Sequence, residues 1–307
     1  MIQYVANLGV SVYIKKLCLQ VTRNCTLECE HCLRGDRENK FMSFETIANI
    51  LRDVDEIDEL LFTGGEPLLA IDQILKTIEI IKNNNIKVRK ITIMTNGTIL
   101  NKSVRDAIRR LSNIAELSLE LSSDVFHVLE LVRLNLYEKW RKDSEVYFNE
   151  LNANRYDWGI DDGTIKIDDD YFCPILETGR AKTISKERLR EINSLLNDHF
   201  YFVIWDSRIL SRNEIILNYD SKTNRANGIV YVNVNGNVVP WNMSFNEEDE
   251  DAERYSSNIN KIGLLNAILN YRDYYIKYFS TIGEREIREL NELRTQRILE
   301  ILKTREI

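Results

Sequence analysis

Apolar and polar residues alternate along the first half of the chain in a pattern that predicts repeated strand–helix units. Lys16–Thr22 (KLCLQVT) reads as a buried strand, with Cys18, Gln20 and Thr22 on one face and Leu17, Leu19 and Val21 on the other. Helical spacing follows over Phe44–Asp55, with Ser43 placed to cap it. A strand at Glu59–Thr63 leads into the turn Gly64–Gly65 and a helix through Ile71–Asn83. Lys90–Thr95 is the next strand and ends in Asn96–Gly97, with a helix near Ser103–Leu111 behind it. Ala115–Leu121 is a further strand, and Ser122–Ser123–Asp124 can cap a helix running to about Lys142. About four such repeats predict an α/β fold: a parallel sheet with crossover helices.

The regularity weakens after about residue 143. Thr164–Asp170 and Tyr201–Trp205 read as strands and Ser185–Asp198 as a helix. Gly228–Asn237 (GIVYVNVNGN) alternates with period two and ends in Asn-Gly, the signature of a hairpin arm. Glu247–Glu253 (EEDEDAE) holds six acids in seven residues and reads as a solvated loop. Arg285–Leu302 reads as an amphipathic helix packed on the domain. A boundary near residue 205 divides the chain into 1–205 and 206–307.

Composition narrows the class. With 44% hydrophobic and 29% charged residues, the 307-residue chain is globular rather than disordered. A net charge of −7 gives no global attraction to nucleic acid. There is no apolar run of about 18 residues and no basic segment leading an apolar one at the N-terminus, so the expectation is a cytoplasmic protein without a membrane partner.

The five cysteines change the picture most. A disulfide framework is a poor account of so few in so long a chain, and their number is odd. Cys25, Cys29 and Cys32 form C-x3-C-x2-C directly after the first strand. Three thiolates on a short loop can each ligate one iron of a [4Fe–4S] cluster, leaving the fourth iron open to a small molecule. Zinc is the alternative, but a closed site needs a fourth ligand. His31 sits beside Cys32 and cannot easily supply it, and Cys18 lies back in the strand. The second motif is Gly64-Gly65-Glu66-Pro67. Its glycines let backbone approach a ligand closely, and a carboxylate suits an ammonium group.

Together these two motifs, on successive βα loops, resemble the radical S-adenosylmethionine (SAM) superfamily over roughly residues 14–205. The resemblance implies a partial (β/α)6 TIM-like barrel, one [4Fe–4S] cluster on Cys25, Cys29 and Cys32, and SAM on the open iron. Electron transfer from the cluster would cleave SAM to a 5′-deoxyadenosyl radical that abstracts hydrogen from a substrate. A flavodoxin- or ferredoxin-type donor is implied as the electron source. Gly64, Gly65, Glu66 and Pro67 would hold the methionyl amino group, Thr95 or Asn96 would lie near the nucleoside, and His31 would pack on adenine. Without the resemblance, Asn96–Gly97 is a turn and His31 a loop residue. Ser122 reads as a cap that could also donate to a ribose or carboxylate.

Tyr171–Lys182, Ile229–Phe245 and Asn258–Ile259 are similar to segments of the small α+β SPASM or twitch extensions of peptide-modifying members. The chain departs from them at Trp241, where such proteins commonly place a cysteine, and no cysteine follows Cys173. An auxiliary cluster therefore has no ligand set. A peptide substrate is the leading expectation; a nucleotide or small metabolite, and a cluster protein without turnover, are the alternatives. Cys18 and Cys173 are either small buried hydrophobes or thiols that give a hydrogen atom to a substrate radical.

Overall fold

The computed structural model describes residues 11–281 apart from 157–164, 168–169, 177, 197–199, 206–217 and 241–243, together with residue 296. The expected α/β architecture is present as a seven-stranded, mostly parallel open sheet and a separate three-stranded one. The large sheet contains β1 (Val12–Thr22), β2 (Val54–Gly64), β3 (Lys87–Thr95), β4 (Glu116–Ser122) and β5 (Asn154–Tyr156), each parallel to the one before it. The crossovers carry α1 (Phe44–Leu51), α2 (Ile71–Asn83), α3 (Lys102–Ser112), and the pair α4 (Val125–Arg133) and α5 (Tyr137–Glu150).

Local chemistry sets these boundaries. Ser43 Oγ accepts the Thr46 N–H at 3.0 Å and starts α1, which stops at Leu51 rather than Asp55 because Val54 already pairs with Val12. The single helix expected up to Lys142 is broken into α4 and α5 at Asn135, which takes a left-handed φ of 56°. The expected Ser185–Asp198 helix is shorter, Lys186–Asn193 (α6), with Ser185 as its cap.

The second sheet contains β6 (Ile165–Ile167), β7 (Asp170–Leu176) and β8 (Phe200–Trp205), with β7 and β8 parallel. β9 (Asn218–Asp220) and β10 (Arg225–Val232) return to the large sheet. β10 runs parallel to β1 with Tyr231 opposite Cys18, and β9 is antiparallel at the edge. The predicted hairpin arm is thus both a parallel partner of β1 and the first arm of a tight antiparallel turn, in which Val232 bridges Val238 and the Val239 N–H returns to Tyr231 O. Its alternation explains the fit: Val230 and Val232 are buried in the main core, while Ile229 and Tyr231 join the opposite face. The chain then turns at 233–237 and continues into α7 (Phe245–Tyr255), α8 (Ile259–Ile262) and α9 (Leu264–Thr281). The predicted Arg285–Leu302 helix lies outside the described residues apart from Gln296.

The two faces of the large sheet differ. Leu17, Leu19, Val21, Phe62, Ile93 and Leu121 are fully buried in one core with Ile47, Ile50, Ile74 and Leu111 from the helices. The other face carries a small apolar cluster of Cys18, Leu61, Tyr231 and Val239. Beside it in register lies a mixed row of Gln20, Thr63, Met94 and Glu120. Thr63, Met94 and Glu120 on that row are half-buried. Ligands gather at the carboxyl ends of such strands, where the sequence places its motifs.

Candidate active site

The cysteine loop opens at the end of β1. Its base is zipped by the Arg23 N–H to Lys40 O and the Met42 N–H to Val21 O. Inside it the Cys32 N–H reaches Cys29 O at 3.1 Å. Arg180, on the short 3-10 helix Gly179–Thr183, ties the loop down from far along the chain. Its backbone N–H donates to Cys32 O at 3.0 Å, its Nε to Cys29 O at 3.0 Å and its Nη1 to Gly35 O at 2.6 Å.

Cys25, Cys29 and Cys32 are all free thiols, with Cys29 buried and the others half-buried. Burial pushes the Cys25 thiol up to about 12, and Glu66 and the other two sulfurs add to the rise. The three sulfurs therefore share one neighbourhood in which thiolates need a cation. Among the described residues, the group of three ligand atoms lying within 4.8 Å of one another is His31, Asp124 and His127.

The Gly64–Pro67 turn is lashed to that loop. The Gly65 N–H donates to Thr22 O at 2.9 Å and the Glu66 N–H to Asn24 O at 2.7 Å. A Cβ on Gly64, whose φ is 152°, would lie 2.2 Å from Thr22 O, and one on Gly65 would lie 2.2 Å from Asn24 O. Only glycine allows this approach. Glu66 is fully buried, and burial raises its carboxyl. Its Oε1 accepts the Leu68 N–H at 3.0 Å and the Thr95 hydroxyl at 2.7 Å, and its Oε2 accepts the Asn96 N–H at 2.8 Å. Pro67 begins the short 3-10 helix Pro67–Ala70 that Glu66 caps. The carboxylate here joins the end of β3 to the turn.

Asn96 continues the chain of contacts. Its Nδ2 donates to Thr26 Oγ1 at 3.0 Å and approaches Cys25 Sγ at 3.6 Å, and its carbonyl accepts the Trp140 Nε1–H at 2.8 Å. Ser122 ends β4 and is buried, but the cap of α4 is Asp124. Asp124 Oδ1 accepts the Phe126 and His127 N–H groups, while Oδ2 lies 2.5 Å from His127 Nδ1. The two imidazoles outweigh burial and hold the Asp124 carboxyl well below the usual range. His31 stacks on Phe126 at 4.5 Å, and burial lowers its imidazole to about 4. Sequence reasoning named Asp124 only as a cap and missed His127; the D-x-x-H spacing after a strand end was the available signal.

Cys18 is buried on the inner face, and burial pushes its thiol up to about 12. Cys173 lies in the other sheet, opposite Phe202. The two open cysteines thus occupy different sheets.

The acidic run is a correction. It is not a solvated loop: Glu247 to Glu253 lie in α7, which a Ser244–Glu247 capping box starts. Glu248 is fully buried and takes Arg34 Nη1 at 2.8 Å, Arg23 Nη2 at 3.4 Å and Gln20 Nε2 at 3.1 Å. Asp249 pairs with both Nη atoms of Arg23 at 2.7 Å, and Glu247 receives the Thr178 hydroxyl and Lys182 Nζ. The C-terminal third therefore clamps the cysteine loop, whose Arg23 and Arg34 it neutralises.

A cysteine loop, a glycine turn and a parallel sheet converge at the strand ends of an α/β domain, and residues 19–142 match the Radical SAM superfamily. The match covers less than half of the chain, and members of that superfamily use a [4Fe–4S] cluster and SAM. An uncharacterised protein of Methanocaldococcus jannaschii is 31% identical over 125 residues, 39% of this chain and 42% of its own. A probable GTP 3′,8-cyclase of Methanothermobacter marburgensis is 39% identical over 86 residues, 27% of each chain. The chain spans less than half the length of these curated relatives. Streptococcus suis SuiB bound to its precursor peptide SuiA aligns over 76% of this chain and 60% of its own, at 17% identity and a TM-score of 0.41.

Proposed function

We propose that this protein is a radical SAM enzyme that cleaves SAM reductively and uses the resulting radical to abstract hydrogen from an organic substrate. The observation that carries this reading is the meeting of three free thiols, the Gly64–Pro67 turn and the β3 end in one hydrogen-bonded unit. Cys25, Cys29 and Cys32 would hold the cluster, which supplies the electron for cleavage. Gly64 and Gly65 keep the turn flush against β1. Glu66, Thr95 and Asn96 fix the floor beneath the methionyl and nucleoside parts of SAM, and Ser122 and His31 border it from the next loops.

Residues 1–205 form the radical-generating part in this reading, and residues 206–307 the substrate-facing part. The substrate we propose is a peptide, supported by the likeness of the C-terminal segments to extensions of peptide-modifying enzymes. Nucleotide chemistry is the second reading, favoured by the 86-residue similarity to a probable GTP 3′,8-cyclase. Cys18 or Cys173 would return a hydrogen atom to the substrate radical, and a flavodoxin- or ferredoxin-type protein would deliver the electron. Among the described residues no helix is long and apolar enough to cross a membrane.

The test is anaerobic reconstitution followed by dithionite and SAM. Formation of 5′-deoxyadenosine above background supports the enzyme reading; cluster-loaded protein that forms none overturns it. Acceleration by GTP, with conversion of the nucleotide, would replace the peptide by the nucleotide substrate.

A further inference from the structure

Asp124 and His127 form a pair that the proposed SAM site does not use. Both sit in the first turn of α4, at the carboxyl end of β4, and both are at most slightly exposed. His127 Nδ1 meets Asp124 Oδ2 at 2.5 Å. Asp124 Oδ1 accepts the backbone N–H groups of Phe126 and His127, so the carboxylate is itself fixed by the helix end. His31 packs edge-on against the His127 ring at 5.1 Å and stacks on Phe126, which limits rotation of the imidazole. With Nδ1 committed to Asp124, the other ring nitrogen is left for the cysteine loop: His31, between Cys29 and Cys32 in the chain, packs against the His127 ring, and the charge of Cys29 acts on it.

A carboxylate that orients a histidine toward a metal-bound group is a recurrent outer-shell arrangement. Hydrogen bonds to cluster sulfurs help set the reduction potential, because they stabilise the extra negative charge of the reduced state. We propose that His127, held by Asp124, is a positioning residue whose ring N–H donates to the Cys29 sulfur of the cluster and raises the cluster's reduction potential. This rests on the cluster assignment made above. Direct coordination of a metal ion by His31, Asp124 and His127 is the competing use of the same side chains, since their ligand atoms lie within 4.8 Å of one another.

The experiment is an EPR-monitored redox titration of reconstituted wild type, His127→Leu, His127→Gln and Asp124→Asn, with iron and zinc content measured on each. Absence of a cluster in the wild type overturns the cluster assignment and, with it, this proposal. With cluster content equal across the set, His127→Leu should lower the fraction of reduced cluster at a fixed potential about tenfold, equivalent to about 59 mV for a one-electron couple. Asp124→Asn should give a smaller shift in the same direction, and His127→Gln, which keeps an N–H donor, should recover most of the wild-type value. An unchanged potential in cluster-loaded His127→Leu would overturn the proposal. So would one metal ion beyond the cluster in the wild type that Asp124→Asn loses. Failure of His127→Leu to assemble a cluster leaves Asp124→Asn and His127→Gln to decide: equal potentials in these two and the wild type would count against the role.

Discussion

Two buried glutamates hold the cysteine loop in place, and they do it by different means. Glu66 lies one turn beyond β2 and accepts only from neutral donors: the Leu68 and Asn96 N–H groups and the Thr95 hydroxyl. Glu248 lies on α7 and accepts from Arg34, Arg23 and Gln20, all more than 200 residues earlier in the chain. Burial raises the carboxyl of both; for Glu248 it reaches about 7 against the pull of the two arginines. The first glutamate organises strand ends through local hydrogen bonds. The second neutralises cations that the loop itself buries, since Arg23 is fully buried and Arg34 nearly so. A site-forming carboxylate can therefore sit inside its motif or arrive from the far end of the chain.

The contrast can be broken from the stronger side first. Glu248→Ala leaves the Arg23 and Arg34 guanidinium groups buried and short of a partner, and removing one member of a buried ionic network typically costs about 3–5 kcal/mol. Urea denaturation of the apo-protein should show that loss. A midpoint within error of wild type would mean that α7 does not clamp the loop.

Glu66→Gln is the matching experiment on the local hub. It replaces a charged acceptor by an amide that can satisfy fewer of the three donors, at a cost of about 1.5–3 kcal/mol. The variant should retain its iron but bind SAM more weakly in equilibrium titration. Unchanged SAM affinity would separate Glu66 from the cofactor floor.

The Gly65→Ala variant probes the backbone beneath Glu66. Its Cβ would lie 2.2 Å from Asn24 O, so the turn must move off the cysteine loop. Overpacking of this kind costs about 1–3 kcal/mol, read by thermal unfolding. Wild-type stability would show that the approach of turn and loop is loose.

The smallest effect is one of pH. Burial alone would raise the Glu247 carboxyl, but hydrogen bonds from Thr178 and the Ser244 N–H and the contact with Lys182 outweigh it and bring it to about 2. A carboxyl lowered on folding contributes stability that is present above its ordinary value of 4.5 and lost as pH falls toward 2. Glu247→Gln should therefore flatten part of the acid decline in the urea midpoint between those values. An identical decline in both proteins would remove Glu247 from the clamp.

Much of the site is legible in the sequence because it is local. C-x3-C-x2-C, Gly64-Gly65-Glu66-Pro67 and Thr95-Asn96 each lie within a few residues of a strand end, where alternation and turn chemistry mark their place. The parallel sheet follows from the same periodicity. What escaped depends on distant contacts. Nothing near Glu248 announces Arg34, so six acids in seven residues look solvated until the sheet brings α7 over the loop. Alternation in β10 identifies a strand, but not that β1 is its parallel neighbour. Arg180 and His127 were missed for the same reason: Arg180 holds the Cys29 carbonyl, about 150 residues away in sequence, and His127 packs on His31 of the same loop, about 100 residues away.

The division of the cysteines is the most direct test of the whole account. Iron analysis of anaerobically reconstituted protein should give about four iron per chain, as one [4Fe–4S] cluster requires. Cys18→Ala and Cys173→Ala should keep that content, and Cys25→Ala, Cys29→Ala and Cys32→Ala should each lose it. Full iron retention in Cys29→Ala, or loss in Cys18→Ala, would contradict the assignment of one cluster to these three thiols.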